Sequence, residues 1–310
     1  MKKVFIDGGA GTTGLRIVER LSGRDDICLL TIPEEKRKDA ATKKQVMNEA
    51  DVVFLCLPDA AAIESAALVE NPNTVVIDAS TAHRTLPGWA YGFPELGDSF
   101  LKKVQAGKRI AVPGCHASGF IALTYPLVEA GILPKDALLS CHSLTGYSGG
   151  GKNMIAEYES ETRSSLLSAP QQYGLTQQHK HLKEMKAIVG LENAPLFCPI
   201  VGDFYSGMLV TVPLFAKQIN GTLDDIKKVY KDKYADELVF FAETDGDGKA
   251  GFAAAVAFEK KDCMRITVTG NDERILLMAT YDNLGKGASG AAIECMNIAL
   301  GLPKTKGLEI

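Results

Sequence analysis

The sequence lacks the features that mark several classes of protein. Its 34 basic and 38 acidic residues are mixed along the chain and give a net charge of -4, so no basic block is available for a nucleic-acid backbone. No apolar run reaches the length of a membrane span, and the N-terminal MKKVFIDGGAG reaches glycine too early for a signal peptide. We therefore expect a cytoplasmic protein that binds neither nucleic acid nor a membrane.

The sequence also lacks patterned cysteines and metal ligands. Its seven cysteines lie far apart without a CxxC pair, which argues against a disulfide framework or a zinc site. The segment DGDGKAG begins like a calcium loop at Asp245, but Lys249 and Ala250 do not suit its fifth and sixth positions. A His-Lys-His triplet at residues 179–181 could start a metal site, yet no third ligand is spaced to complete it. We expect no bound metal.

Short apolar strands alternate with helical patterns in the first part of the chain. The strands are KKVFIDG, ICLLTI, ADVVFLCLPD, TVVIDAS and RIAVPG, and the clearest helices are TTGLRIVERLSG and AAAIESAALVE. This alternation predicts an α/β domain with a parallel sheet covered by helices on both faces.

The pattern changes after about residue 130. Longer strands such as ALLSCHSLTG, GMLVTVPLFAK, RITVTG and RILLMATYDNLG, whose connections include turns, predict an α+β domain on a mixed or antiparallel sheet. GTLDDIKKVYKDKYAD predicts an exposed helix capped by Thr222. Because 310 residues exceed one ordinary core, we expect a first domain of residues 1–114, completed by a C-terminal helix 285–310, and a second domain of residues 115–284.

A glycine array, GxxGxxG, lies between the first strand and the first helix. Gly8, Gly11 and Gly14 would let the backbone turn tightly and approach a pyrophosphate, whose charge would lie at the amides of Thr12 and Thr13. A plain tight turn is the alternative. The position after an N-terminal strand favours dinucleotide binding.

The end of the second predicted strand bears on which dinucleotide is bound. NAD-binding proteins place an acidic side chain there to bond the ribose, whereas this chain has Thr31, followed after two glutamates by Lys36, Arg37 and Lys38. The basic run could accept a 2′-phosphate, so NADP(H) is favoured over NAD(H). The alternative is a solvated charged loop.

Cys115, in VPGCHASGF, follows a strand and precedes a helical stripe. A helix N-terminus stabilises a thiolate, and reactive groups gather at the carboxyl ends of parallel strands. Cys115 is therefore a candidate nucleophile, although most cysteines are inert and buried. Pro126 is expected to interrupt or kink the helix.

A base for this thiol must come from five histidines. His116 adjoins Cys115, but neighbours on a helix project in different directions. In QQHKHLKEMKAIVG, His179 and His181 lie at the N-terminal edge of a helical stripe, which favours the neutral ring, and Glu184 would offset that by attracting a proton.

A second glycine-rich turn, LTGYSGGGKN, contains Ser148, Gly149 and Lys152. Backbone amides in such a turn can hold an anion such as phosphate or carboxylate. A flexible hairpin tip would look the same in sequence, so both interpretations stay open.

Together these motifs resemble the family of N-acetyl-γ-glutamyl-phosphate reductases, in its shorter form. The resemblance runs along nearly the whole chain and is carried by GGAGTTG, DASTAHR, YGFPEL, VPGCHASG, GYSGGG, HKHLKE and DNLGKGASGAA. The aspartate-semialdehyde dehydrogenases share the architecture and the thiol chemistry of this family.

The resemblance implies NADPH-dependent reduction of an acyl phosphate to an aldehyde in arginine biosynthesis. Cys115 would be the nucleophile that forms a thioester and His181 the acid–base group. The implied substrate-binding residues are Arg84, Ser148, Gly149, His179 and Glu184. The implied cofactor-binding residues are Asn283, Gly285 and Gly287, together with Gly8, Gly11, Thr12, Thr13, Gly14, Lys36 and Arg37.

The resemblance also implies that residues 1–114 bind NADP(H) and that residues 115–284 carry catalysis and oligomerisation. The small-molecule substrate and phosphate would then be the ligands, and a homodimer or homotetramer the assembly. Two alternatives stay open: an aspartate-semialdehyde dehydrogenase that acts on aspartyl phosphate, and a non-enzymatic NADP-binding regulator without a working thiol.

Overall fold

The computed structural model describes residues 1–37, 39–244, 247 and 249–310 and divides the chain into two compact units. Unit 1 contains residues 1–94, 98–114 and 288–308, and unit 2 contains residues 95–97, 115–287 and 309–310. Lys38 of the basic run lies outside the described residues, as do Asp245, Gly246 and Gly248 of DGDGKAG.

Unit 1 contains a six-stranded sheet in which every pairing is parallel. Its strands are β1 (Lys2–Asp7), β2 (Ile27–Leu30), β3 (Val52–Leu55), β4 (Val75–Asp78), β5 (Ala90–Tyr91) and β6 (Arg109–Ala111), in the spatial order β2-β1-β3-β4-β6-β5. Its first helices are α1 (Thr12–Ser22), α2 (Ala40–Glu49), α3 (Asp59–Leu68) and α4 (Asp98–Ala106).

Unit 2 contains a seven-stranded mixed sheet. Its strands are β7 (Ser140–Gly146), β8 (Gln171–Gln172), β9 (Leu196–Gly202), β10 (Met208–Phe215), β11 (Val239–Phe241), β12 (Met264–Gly270) and β13 (Arg274–Tyr281), in the order β11-β12-β13-β10-β7-β9-β8. Its helices are α5 (Cys115–Glu129), α6 (Gly151–Tyr158), α7 (His181–Val189) and α8 (Leu223–Lys233). The pairs β11–β12 and β7–β9 are parallel and the others are antiparallel, which confirms the predicted mixed sheet.

The C-terminal helix is shorter than the predicted 285–310. Residues Gly285–Ser289 form a π-helical turn, and the regular helix α9 covers Gly290–Ala299. It ends where Gly301 adopts a φ of +69°, a left-handed conformation that breaks helical geometry. Pro303 follows at a position where it cannot continue the helix.

The parallel sheet of unit 1 is buried on both faces, as the continuous apolar strands predict. Val4 and Phe5 of β1 point into two different clusters because successive strand residues face opposite sides. The Val4 cluster includes Ile17 of α1 and Ile293 of α9. The Phe5 cluster includes Met47 of α2. The loops at the strand ends of unit 1 therefore extend from a sheet that is packed on both faces.

Helix α8 buries one face rather than being wholly exposed. Thr222 caps it as predicted, through a box in which Thr222 Oγ1 accepts from the Asp225 amide at 3.2 Å and Asp225 accepts from the Thr222 amide at 2.8 Å. Ile226 and Tyr230 are fully buried, and the Tyr230 hydroxyl donates to the Leu123 carbonyl of α5.

Of the two effects expected of Pro126, an interruption does not occur, because helix α5 continues through this residue. Proline has no amide hydrogen, so the carbonyl of Ala122, four residues earlier, loses its intrahelical donor. The buried Tyr234 hydroxyl donates to that carbonyl at 2.7 Å. A hydroxyl from outside the helix thus supplies the hydrogen bond that the Ala122 carbonyl loses because of Pro126.

Candidate active site

The glycine loop after β1 has no room for a side chain at Gly8 or Gly14. A Cβ at Gly8, whose φ is +84°, would lie 2.2 Å from the Cys56 carbonyl oxygen, and a Cβ at Gly14 would lie 2.4 Å from the Gly8 oxygen. Gly11 directly precedes α1, and its amide donates to the Gly8 carbonyl at 2.9 Å. No side chain therefore covers the backbone at Gly8 and Gly14, beside the start of α1, where helix amides can donate hydrogen bonds to an anion.

A cleft of about 420 Å³ opens beside this loop. It is lined by Gly8 and by Thr31 after β2, with Arg37 and Lys43 as basic side chains. The hydroxyl of Thr12 is buried and has no hydrogen-bond partner within the described residues. A bare cradle and an unsatisfied hydroxyl fit the phosphates of a dinucleotide.

The basic residues near this cleft differ in their surroundings. Arg37 forms an ion pair of 2.7 Å with Glu34, and Lys36 is exposed on the short 3-10 helix Glu34–Lys36. Lys43 of α2, which sequence reasoning missed, bonds the Asp7 carboxylate at 3.0 Å. Lys43 lies in a mostly polar helix without a clear hydrophobic periodicity, so the sequence contains no indication of its position at the cleft.

Cys115 is the first residue of α5. The Tyr281 hydroxyl donates to the Cys115 carbonyl at 2.5 Å and accepts from the Gly119 amide at 3.0 Å. A Cβ at Gly287 would lie 3.1 Å from the Cys115 Cβ, so this glycine lets the chain pass close to the cysteine. The first turn of α5 is thereby held in place, and the cysteine lies where helix amides favour a thiolate.

Two other cysteines are poor nucleophiles. Burial raises the pKa of Cys56 to about 12, and the carboxylates of Asp78 and Asp7 act in the same direction. Burial also raises the pKa of the Cys141 thiol. Because only the thiolate is nucleophilic, these environments separate structural cysteines from a reactive one.

His116 lies in a buried hydrogen-bond chain that the sequence did not indicate. Its Nδ1 is 2.6 Å from Ser143 Oγ and its Nε2 is 2.7 Å from the Tyr173 hydroxyl. Burial lowers the pKa of His116 to about 3, and nearby His179 acts in the same direction. Burial raises the pKa of Tyr173, and Cys115 adds to the shift electrostatically. His116 is therefore neutral at physiological pH, and Tyr173 is an additional residue near the thiol.

The predicted histidines lie together at the start of α7. His181 is its first residue and is buried, and its ring centroid lies 4.7 Å from that of His179 and 5.6 Å from that of His116. Glu184 is buried one turn later. The structure thus places the rings of His179 and His181 close to the ring of His116, the residue that follows Cys115 in the chain.

The turn after β7 is an ordered structure rather than a hairpin tip. Residues Tyr147–Gly150 form a 3-10 helix that leads into α6. Asn283 Nδ2 donates to Ser148 Oγ at 3.0 Å, and the Gly207 amide donates to Asn283 Oδ1 at 2.9 Å. A Cβ at Gly149 would lie 3.6 Å from Asn283 Nδ2. Asn283 therefore joins the predicted substrate turn to the NLGKGASG segment.

The NLGKGASG segment is packed tightly in unit 2 up to Gly287. A Cβ at Gly285 would lie 2.0 Å from the Lys261 carbonyl oxygen. Lys286 forms a buried ion pair of 2.5 Å with Glu95. Close backbone packing and a buried charge pair both require this segment to keep one conformation.

Arg84 lies in unit 1, where it is buried. Its Nε donates to the Val112 carbonyl at 2.8 Å and its Nη2 to the Ala79 carbonyl at 3.1 Å. Neighbouring His83 bonds the Asp78 carboxylate through Nδ1 at 2.6 Å. Arg84 is thus held at the ends of β4 and β6, among the first residues that follow these strands.

No group of metal-binding side chains occurs in the part of the chain that the structure describes. Among the same residues, every helix is too short or too polar to cross a bilayer.

Two segments of the chain match families of known proteins. Residues 3–104 match the family model described as the semialdehyde dehydrogenase NAD-binding domain, and residues 115–283 match the semialdehyde dehydrogenase dimerisation domain. These matches define the class: an oxidoreductase of the semialdehyde dehydrogenase type with a nicotinamide-dinucleotide-binding domain and a dimerisation domain.

Curated relatives of similar sequence identify the family within this class. An N-acetyl-gamma-glutamyl-phosphate reductase of Sinorhizobium medicae is 43% identical over 96% of this chain and 98% of its own length. An N-acetyl-gamma-glutamyl-phosphate reductase 2 of Pseudomonas putida is 40% identical over 98% of both chains. The chain belongs to the family of N-acetyl-γ-glutamyl-phosphate reductases, which confirms the resemblance of its motifs.

Solved structures agree in fold. Aspartate semialdehyde dehydrogenase II of Vibrio cholerae superposes with a TM-score of 0.72 at 16% identity and covers 97% of this chain and 98% of its own. Aspartate semialdehyde dehydrogenase of Candida albicans, solved with NADP, has a TM-score of 0.66 at 15% identity and covers 96% of this chain and 98% of its own. These likenesses confirm the predicted fold class.

Proposed function

We propose that this chain reduces N-acetyl-γ-glutamyl phosphate to N-acetylglutamate 5-semialdehyde and phosphate, with NADPH as the reductant, in cytoplasmic arginine biosynthesis. The observation that carries the proposal is the position of Cys115 at the start of α5, next in the chain to a histidine whose ring lies 5.6 Å from that of His181. The names of the relatives support the substrate.

Cys115 is the nucleophile of this reaction. Its thiolate, favoured by the amides of the first turn of α5, attacks the acyl carbonyl, and phosphate leaves to give a thioester. The same amides would stabilise the oxyanion that develops at the carbonyl. Tyr281 keeps this turn in position through its bonds to Cys115 and Gly119. When bound, NADPH supplies the hydride that reduces the thioester.

His181 is the acid–base group. It protonates the departing thiolate or the oxygen as the aldehyde forms. His116 follows Cys115 in the chain, but both of its ring nitrogens lie within hydrogen-bond distance of Ser143 and Tyr173. Burial also lowers its pKa to about 3. His116 therefore holds Tyr173 in place rather than exchanging protons.

Arg84 and the turn with Ser148 and Gly149 are the proposed partners of the anionic groups of the substrate, and Glu184 is a further proposed substrate residue. The bond from Asn283 to Ser148 supports this assignment because it orders the turn in which amides would receive an anion. The bonds of Arg84 to two carbonyl oxygens preorganise its guanidinium.

NADP(H) is the proposed form of the dinucleotide. Gly8, Gly11, Gly14 and the residues Thr12 and Thr13 would hold its pyrophosphate, and Arg37 and Lys43 place positive charge in the same cleft. Lys36 is a proposed secondary contact. Asn283, Gly285 and Gly287 are further proposed cofactor residues.

A homodimer through the sheet of unit 2 is the proposed assembly. Leu196, Phe215 and Leu276, on β9, β10 and β13, are 58, 62 and 41% exposed. They line one apolar cleft of about 490 Å³. Exposed apolar surface of this kind marks an interface. A second copy of the chain is its proposed occupant because the cleft lies within the matched dimerisation domain.

The experiment that tests the function follows the reverse reaction, the phosphate-dependent reduction of NADP by N-acetylglutamate semialdehyde. We expect Cys115→Ser to abolish turnover and keep cofactor binding, because serine cannot form the thioester at a useful rate. Cys28→Ser, in β2, is the matched control and should be active. Normal turnover by Cys115→Ser would exclude the thioester route, and equal turnover of aspartate semialdehyde would exclude the proposed substrate.

A further inference from the structure

We propose that His179 is a positioning residue, whose imidazole Nδ1 caps α7 and so orients His181. The inference rests on the proposed function, in which His181 moves the proton. It changes the role of His179 from a substrate contact to a support for the neighbouring histidine.

The start of α7 shows how His179 acts as a cap. The His181 amide donates to His179 Nδ1 at 3.2 Å, and the Leu182 amide donates to the His179 carbonyl at 3.0 Å. The first amides of a helix have no acceptor within the helix. Lys180, which lies between the two histidines, has helical angles of φ -58° and ψ -27°. His179 therefore satisfies the first two amides by itself.

The cap requires one protonation state of His179. A ring nitrogen accepts a hydrogen bond only when it carries no proton, so this ring is neutral and has its hydrogen on Nε2. Burial lowers the pKa of His179, and Lys180 lowers it further, which keeps the ring neutral. The His179 ring also packs edge-on against the His181 ring at 4.7 Å and 81°.

The loop that carries His179 is itself anchored to β9. The Gln177 side chain donates to the Phe197 carbonyl at 2.7 Å and accepts from the Phe197 amide at 2.9 Å. Gln177 has a φ of +57°, which is unfavourable for a residue with a side chain. The Phe197 ring packs against the His179 ring at 5.1 Å. The position of His179 is therefore built by the loop and the sheet together.

Two substitutions separate a cap from a substrate contact. Asparagine places an acceptor at the position of Nδ1 and forms the same bond to the amide two residues on. Glutamine places its amide near Nε2, the atom through which a substrate would be bound. We expect His179→Asn to keep kcat within about threefold, whereas His179→Gln and His179→Ala lower kcat about tenfold with little change in KM.

Controls make these outcomes decisive. Gln178→Ala, an exposed neighbour in the same loop, should behave as the wild type, and His181→Asn should lose far more activity than His179→Asn. If His179→Ala does not fold, the His179→Asn and His179→Gln variants still distinguish a cap from a substrate contact. Two outcomes would contradict the role of His179 as a cap. One is retained activity in His179→Gln with a loss of activity in His179→Asn, and the other is a change in KM without a change in kcat.

A second measurement is independent of turnover. Ring-nitrogen NMR spectra of the wild-type protein should show His179 neutral, with its proton on Nε2. A ring protonated at Nδ1 contradicts the cap whatever the substrate is. A wild-type protein that does not turn over the N-acetylated substrate contradicts the proposed function alone, and the spectra then decide the role of His179.

Discussion

Residues that are close in the chain take different roles at this site. His116 follows Cys115 directly, yet burial lowers its pKa to about 3 and both of its ring nitrogens lie within hydrogen-bond distance of Ser143 and Tyr173. His181 lies 66 positions after Cys115 in the chain and begins its own helix. The surroundings of a histidine, and not its distance along the chain from the nucleophile, determine whether it can exchange a proton.

The basic residues at the dinucleotide cleft allow a prediction at the same scale. Arg37→Ala is expected to weaken NADPH binding about tenfold and NADH binding little, because a charge-assisted contact to the 2′-phosphate is lost. Fluorescence titration with both dinucleotides measures the difference. Lys36→Ala, on the same exposed turn, is the control and should have a smaller effect. Equal losses for NADPH and NADH would show that Arg37 does not contact the 2′-phosphate.

At the scale of elements, α5 depends on groups outside itself. Tyr281 holds its first turn, and Tyr230 and Tyr234 donate to carbonyls of Leu123 and Ala122. The Tyr234 bond compensates for Pro126, which leaves the Ala122 carbonyl without its usual donor. A helix that begins at Cys115, the proposed nucleophile, can therefore contain a proline without a break.

This compensation predicts a specific coupling. Tyr234→Phe should lower the free energy of unfolding by about 1–3 kcal/mol because a buried carbonyl loses its donor. The cost should fall in a Pro126→Ala background, since the restored amide can donate to Ala122. Urea unfolding of the four proteins in this cycle gives the coupling. Tyr125→Phe, which removes a hydroxyl that bonds the exposed Glu129, serves as the control. Additive effects would mean that the two residues do not share that carbonyl.

At the scale of the whole molecule, the two units contain different parts of the proposed function. Unit 1 contains the glycine loop and the cleft proposed to bind the dinucleotide, whereas unit 2 contains Cys115, His116, His179, His181 and the exposed sheet surface. The sheet of unit 2 therefore supports both the site residues and the proposed dimer contact.

The proposed dimer can be tested at its most exposed aromatic residue. Phe215→Arg should shift the protein from dimer to monomer in analytical ultracentrifugation, because a charge would be buried in an apolar interface. Ile63→Arg, an equally drastic change on α3 of unit 1, should not. A wild-type monomer, or a Phe215→Arg protein that sediments as the wild type does, would contradict this interface.

Some elements had too weak a local signal to be predicted. Helix α2 is mostly polar and is stabilised by Asp39, which accepts from the Thr42 amide at 2.8 Å. Strand β9 contains Pro199, a residue that argues against a strand when only the sequence is known. The glycine turn did not predict α6, because glycines do not favour a helix.

The sequence by itself determined the alternation of strands and helices, the glycine loop, the helix that starts at Cys115 and the family resemblance. These features depend on short-range periodicity and on backbone positions where only glycine fits, as at Gly8 and Gly14. Only the tertiary structure decided which polar groups meet. His116 bonds Ser143 and Tyr173 across 27 and 57 positions, and Asn283 bonds Ser148 across 135. Such pairings follow from burial, which requires each polar group to find a partner wherever the fold provides one.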